Sequence, residues 1–274
     1  MLFSLPDRSM VSLSAKIARV LVLMLFGSLT VQSAQAEVFK YFDEEGTLIV
    51  TDDPFGTKKR ERRPYRPEQD KKNSVSLSQW ENVDYQFYEV SGQTIHDAMS
   101  ASDRLGPYDP REGRNYAGQT RWNFGLSYTM DFSYHREGDL IIASVLISDI
   151  DFRSDIAIIL PSLAENSSFA SADFKAWEEF LQRLAEHEHD HARIIQEPRF
   201  RQEVISGLSA IRELRLPGGS ENHAEAMVRA AIESEAGAVA HAVIRKIKQK
   251  NDEYDAVTDH GRKPELRNAF FQRL

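Results

Sequence analysis

Residues 122–134 read WNFGLSYTMDFSY. Trp122, Phe124, Leu126, Tyr128, Met130, Phe132 and Tyr134 alternate with mostly polar neighbours, the period of a strand that turns one face to a core. Working outward, Gly138-Asp139 predicts a turn, and the apolar run Leu140–Ile150 predicts an antiparallel partner, so the two form a long hairpin. Ile156–Leu160 predicts a further strand ahead of Pro161. Upstream, Tyr85–Val90 reads as a strand and Thr94–Arg104 as a helix capped by Thr94. Gly106-Pro107, Pro110 and Gly113 mark a turn-rich loop between that helix and the hairpin. Downstream the apolar period lengthens to that of helices. Ser171 or Asp173 opens one through Ile195, a second covers roughly 200–214 and closes at Pro217-Gly218-Gly219, and a third runs from near Ser220 to about Asp252. Strands first and helices afterwards predict an α+β domain over residues 80–274: an antiparallel sheet followed by a helical half.

Composition narrows the chemistry. The 274 residues allow one main domain plus something small. The formal net charge is −8, and removal of residues 1–36 would take it to −10. That balance argues against nucleic acid as a general partner, which needs a basic surface. There is no cysteine, so disulfides, thiolate metal sites and a cysteine nucleophile are excluded, and any metal must be held by His, Asp or Glu.

The first 36 residues read as an address. Lys16 and Arg19 precede a short apolar run over residues 20–32, and Ala34-Gln35-Ala36 supplies the small–x–small pattern of a cleavage site before Glu37. The run is too short to span a bilayer. The expectation is a secreted, periplasmic or extracellular protein. Residues 37–56 then give a small hairpin, Val38–Phe42 and Thr47–Thr51 about a turn containing Gly46, which must pack on something because a lone hairpin is marginal in water. Lys40-Tyr41-x-Asp43-x-x-Gly46 and Thr51-Asp52-x-Pro54 resemble a small N-terminal envelope domain of bacteria (domain-of-unknown-function family 4124). Residues 57–79 follow as a basic linker. Its stretch TKKRERRPYRPEQDKKNS holds eight basic and three acidic residues and almost nothing apolar. It reads as solvated chain, or as a weak tether to anionic envelope polymers through residues 57–72.

The chemistry-bearing motif lies in the first long helix: His187-Glu188-His189-Asp190-His191, an H-E-x-x-H pentapeptide. For this composition chance supplies about 0.02 such matches, so the motif is informative. Residues four apart share a helix face, so His187 and His191 can grip one metal. Glu188 lies beside them, where a carboxylate can deprotonate a water that the metal polarises. Phe180, Leu184 and Ile194 put the two histidines on the apolar face, and His189 points elsewhere, to solvent. Zinc suits imidazole donors and an open position. For the third ligand, the position six residues past His191 holds Glu197, with Ile194 where that pattern requires glycine. Glu235 is a candidate on a later helix, on a stripe formed by Val228, Ile232, Val239 and Ala242. The polar cluster Tyr254-Asp255-Ala256-Val257-Thr258-Asp259-His260-Gly261 follows that helix.

Taken together, Tyr88-x-Val90-x-Gly92-x-Thr94, Gly106-Pro107, Gly118-x-Thr120-x-Trp122, His187-Glu188-x-x-His191 and Tyr254-Asp255-x-x-Thr258-x-His260-Gly261 resemble a bacterial family described as predicted secreted zinc-dependent proteases (domain-of-unknown-function family 922). The resemblance covers residues 85–262. It implies a zincin-like domain binding one Zn²⁺ per chain, with His260 as third ligand beside His187 and His191. It further implies Asp255 as an orienting residue or alternative ligand, and Tyr254 as a donor to a developing oxyanion. The expected activity is hydrolysis of peptide bonds, in proteins or cell-wall peptides, with Glu188 as general base. The alternative is a non-catalytic envelope-associated binding or scaffolding protein whose zinc is structural or vestigial. That protein would close its site with a fourth ligand, Glu235 or Asp255.

Overall fold

A computed structural model describes residues 39–42, 48–51, 83–110, 112–165, 167–218 and 223–274. The expected signal segment 1–36, the hairpin turn and the linker 57–79 lie outside the described residues. The alternating segment that opens the reading becomes strand β6 (Gln119–Glu137), and its partner is β7 (Leu140–Leu163). They pair antiparallel from Gln119↔Ile159 to Glu137↔Leu140, with Gly138 turning the chain at φ +59°. Trp122, Phe124 and Leu126 are buried as the alternation predicts.

The separate strand expected at Ile156–Leu160 is instead the continuation of β7. The reason is a bulge. Ser127 pairs Asp151 but Thr129 pairs Ser148, so β7 carries one extra residue there, and Asp149 sits in the left-handed region at φ 49°. Before the bulge the inward residues are odd-numbered: Ile141, Ala143, Val145 and Ile147. After it they are even: Phe152, Ile156, Ile158 and Leu160. One inserted residue flips every later side chain to the other face, which breaks the apparent period in the sequence.

Around this hairpin the sheet has the order β1-β2-β6-β7-β3, with β8 also on β7. Strands β1 (Phe39–Phe42) and β2 (Leu48–Thr51) form the small hairpin, and β2 continues onto β6 through Leu48↔Leu126 to Thr51↔Asn123. The hairpin's need for a partner is thus met by the main sheet. At the opposite edge β3 (Val83–Val90) runs parallel to the second half of β7, so the sheet is mixed rather than wholly antiparallel. Helix α1 (Ile95–Leu105) starts on a reciprocal cap. The Asp97 amide donates to Thr94 Oγ1 at 3.2 Å, and the Thr94 amide donates to Asp97 Oδ2 at 3.1 Å. Two-residue strands β4 (Tyr108–Asp109) and β5 (Arg114–Asn115) fold the loop before β6.

The helical half is α2 (Ser171–Ile195), α3 (Pro198–Ser209) and α4 (Ala224–Thr258). The second helix is shorter than expected. Residues 213–217 form strand β8 (Glu213–Pro217) on β7, Leu140↔Pro217 to Ser144↔Glu213. Leu214 and Leu216 alternate there, and the open edge of β7 offers hydrogen bonds that outweigh local helical preference. Val228, Ile232, Ala236, Ala240, Val243, Ile244 and Ile247 bury the inner face of α4 in the same core as β6 and β7. The third helix runs past the expected end at Asp252. Its last turns bury Asn251, Tyr254 and Thr258, and that packing offsets the weak helix propensity of the Asn-Asp-rich segment. A 3₁₀ turn (Pro264–Leu266) and helix α5 (Arg267–Phe271) finish the chain. Among the described residues no helix is long and apolar enough to cross a membrane.

Candidate metal centre

His187 and His191 stand one turn apart on α2 and are both buried. Asn251 and Asp255 stand one turn apart on α4 and face them. The extension of α4 beyond Asp252 is what brings them there. His187 Nε2 lies 3.1 Å from Asp255 Oδ1, His191 Nε2 lies 3.0 Å from the same oxygen, and the two Nε2 atoms are 3.2 Å apart. The Asn251 amide nitrogen donates to the Ile247 carbonyl at 2.9 Å, so its oxygen faces His191 Nδ1, 2.7 Å away, and accepts from it. The Nδ1 of His191 therefore carries its hydrogen, and in the neutral ring Nε2 is a bare lone pair.

Asp255 Oδ1 and the two Nε2 atoms converge within 3.2 Å of one another, an arrangement that a shared proton or a metal cation would satisfy. Burial alone would lower the His191 pKa, but the Asp255 charge, its hydrogen bond, Glu188 and Asn251 raise it to about 9. Burial works the other way on Asp255, yet the two imidazoles hold its carboxyl well below the usual carboxylate range. His187, His191 and Asp255 form a group whose donor atoms all lie within 4.8 Å of one another, and they could hold a metal ion. Two imidazole nitrogens and one carboxylate oxygen match the donor types zinc takes in three-ligand sites.

Glu188 is buried beside this group and is held from β6. The Thr120 hydroxyl lies 2.8 Å from Glu188 Oε2 and 3.0 Å from its backbone carbonyl. The other oxygen, Oε1, lies over Gly118, where a Cβ would come within 2.9 Å of it and of Leu184 Cδ1. The Gly118-x-Thr120-x-Trp122 motif is thus explained residue by residue: glycine for close approach, threonine as the carboxylate's donor, tryptophan in the core. Tyr88 secures the same loop by donating to the Ala117 carbonyl at 2.7 Å.

The remaining sequence candidates fall differently from expectation. His260 is not in the donor group. It sits exposed at the rim in the left-handed region, φ 52°, with Nδ1 3.8 Å from Asp255 Oδ1 and its ring 5.4 Å from that of Tyr116. Asp255, the alternative ligand, is the residue that joins the two histidines in the donor group, because α4 carries it inward while His260 lies past the helix end. Gly261, at φ +80°, passes so close to His187 that a Cβ would lie 3.1 Å from its ring. Tyr254 is fully buried, and its hydroxyl donates to Asp190, so it has no free donor for an oxyanion. Its ring stacks on His187 at 5.1 Å and meets His191 edge-on at 5.2 Å. Glu235 is exposed on α4, twenty residues before Asp255, or about 30 Å along a helix. His189 is half-buried rather than solvated. Its Nε2 lies 2.7 Å from the Tyr85 hydroxyl, and burial lowers its pKa. Sequence reasoning missed Asn251, although its spacing of four from Asp255 repeats that of His187 and His191.

Fold and site together define an α+β protein in which two helices present an imidazole pair and a carboxylate to one point, with a buried glutamate alongside. The chain belongs to a bacterial family of proteins of unknown function (DUF922), which matches residues 85–261. No curated protein and no solved structure matches it significantly.

Proposed function

We propose that this protein is an exported zinc-dependent peptidase whose metal is held by His187, His191 and Asp255. The observation that carries the reading is the convergence of His187 Nε2, His191 Nε2 and Asp255 Oδ1 at 3.0–3.2 Å beside the buried Glu188. Zinc bound there supplies Lewis-acid polarisation of a peptide carbonyl and acidifies a water.

The chain's own residues do the rest. Asn251 orients His191, and Tyr254 packs against both imidazoles. Thr120 holds one oxygen of Glu188 and leaves Oε1 beside the glycine backbone. Glu188 takes a proton from the attacking water as its oxygen bonds to the carbonyl carbon. It returns that proton to the amine nitrogen as the C–N bond breaks. The exposed ring of His260, 5.4 Å from that of Tyr116 and with Nδ1 3.8 Å from Asp255 Oδ1, is placed to meet an arriving peptide.

Among the described residues the donor group has three members, which suits the open position of a catalytic zinc. The closed site of the scaffolding alternative would need His260 as its fourth ligand, whose Nδ1 lies 3.8 Å from Asp255 Oδ1, while Glu235 is exposed far along α4. The substrate is a peptide or protein, cell-wall peptides included, met outside the cytoplasm after cleavage before Glu37. The test is Glu188→Gln against a peptide library, with zinc content measured in parallel. Loss of at least about 100-fold in hydrolysis with zinc retained supports the reading, since general-base catalysis contributes that much. A variant that cleaves as fast as the parent contradicts it.

A further inference from the structure

We infer that Arg267 is a positioning residue for the metal centre, clamping the two ligand-bearing helices through Asp190, Glu186 and Tyr254. This rests on the zinc reading above and extends it to the C-terminal segment, past residue 261 where the family match ends. Arg267 opens α5 and reaches back to α2 with its whole guanidinium. Nε donates to Asp190 Oδ2, Nη2 to Asp190 Oδ1 at 3.0 Å, and Nη1 to Glu186 Oε2 at 2.6 Å. Asp190 is 5% exposed, and its Oδ2 also accepts the Tyr254 hydroxyl from α4. Phe270 and Phe271 pack on the Tyr254 ring at 5.1 and 5.8 Å, and Arg193 of α2 lies 4.1 Å over Phe271.

Arg267 reaches Asp190 and Glu186 directly and Tyr254 through Asp190, and each of the three adjoins a proposed metal donor in sequence. Glu186 precedes His187, Asp190 precedes His191, and Tyr254 precedes Asp255. Fixing these three neighbours fixes the rotation of α2 and α4 about their own axes, and with it the direction of every donor. A fork of fixed geometry suits that task. An ion pair onto the buried Asp190, kept for stability alone, would gain little over an apolar pair of the same volume, and the pair with the 40%-exposed Glu186 would gain little at all. Partners behind the ligands set affinity, and their loss typically weakens metal binding by about 10–100-fold.

The experiment is zinc titration of the metal-free full chain against a chromophoric chelator, for wild type, Arg267→Met and Arg267→Lys. Circular dichroism confirms the fold, and the visible spectrum of the cobalt-loaded protein reports ligand geometry. The expected result is zinc binding about 10–100-fold weaker in Arg267→Met with unchanged helix content and an altered cobalt spectrum. Arg267→Lys recovers only part, because an ammonium cannot span both carboxylates. Arg267→Met binding within about twofold of wild type, with the same cobalt spectrum, overturns the inference while leaving the zinc reading intact. A wild-type chain that takes up no zinc removes both. Should Arg267→Met not fold, Tyr254→Phe decides. It keeps the ring and removes only the link to Asp190, and weaker zinc binding supports the clamp while unchanged binding overturns it.

Discussion

Replacing Asn251 by alanine isolates the orientation of His191. The substitution removes the 2.7 Å hydrogen bond to Nδ1 and leaves a buried N–H without an acceptor. An unsatisfied buried donor costs roughly 1–3 kcal/mol. For a domain of this size that lowers the melting temperature of the metal-free protein by about 3–10 °C. Under the zinc reading, binding of the metal would suffer beyond the loss of stability, because the ring would be free to turn and to shift its hydrogen to Nε2. A loss of about 10–100-fold in zinc affinity is expected, or roughly 1.4–2.7 kcal/mol. Asn251→Asp keeps an acceptor for Nδ1 but turns the donor to the Ile247 carbonyl into a second oxygen, so it should recover zinc affinity above the alanine variant at some cost in stability. Competition titration gives the affinities, and thermal unfolding gives the stability term separately. If Asn251→Ala binds zinc as tightly as wild type, the orienting role of Asn251 is refuted.

Other outcomes follow from the same geometry. Zinc uptake should be strongly pH-dependent, because the cation displaces the proton that His191 holds with a pKa raised to about 9. The association constant should rise about tenfold per pH unit below that value and level off above it, and levelling near the ordinary 6.5 would count against the coupling to Asp255. The sign for the metal-free fold is opposite. A raised imidazole pKa stabilises fully below 6.5, and that contribution fades as pH climbs through 9, which urea denaturation at two pH values would register. Gly118→Ala should reduce hydrolysis while leaving zinc content unchanged, since its methyl group would sit 2.9 Å from Glu188 Oε1 and away from the metal donors. Loss of zinc in that variant would show that the loop supports the ligands instead.

Although Tyr134 at the end of the pattern is exposed, the sheet hairpin was readable because the alternating residues Trp122 to Phe132 pack one face of β6 on the core. The phase change at Asp149 was not, since a bulge is specified by backbone pairing across strands rather than by side-chain type. The histidine pair on α2 was legible through a spacing that helix geometry makes meaningful. The carboxylate that faces it was not, because its place depends on where α4 ends. Asn251, Tyr254 and Thr258 are ordinary polar residues until packing draws them inside and carries Asp255 with them. Glu235 misled for a related reason. Val239 and Ala242 suggested a stripe centred near it, but the buried line runs through Ala236 and Ala240, where small side chains let the helix approach its neighbours closely. Small residues mark a tight contact without standing out in a hydropathy pattern.

Whether His187, His191 and Asp255 hold one metal between them is decided by elemental analysis of the purified chain, with wild type, Asp255→Ala and His260→Ala measured side by side. The account predicts one zinc per chain in wild type and in His260→Ala, and loss of the metal in Asp255→Ala. Zinc lost from His260→Ala but kept in Asp255→Ala, or no zinc in wild type after reconstitution, would contradict it.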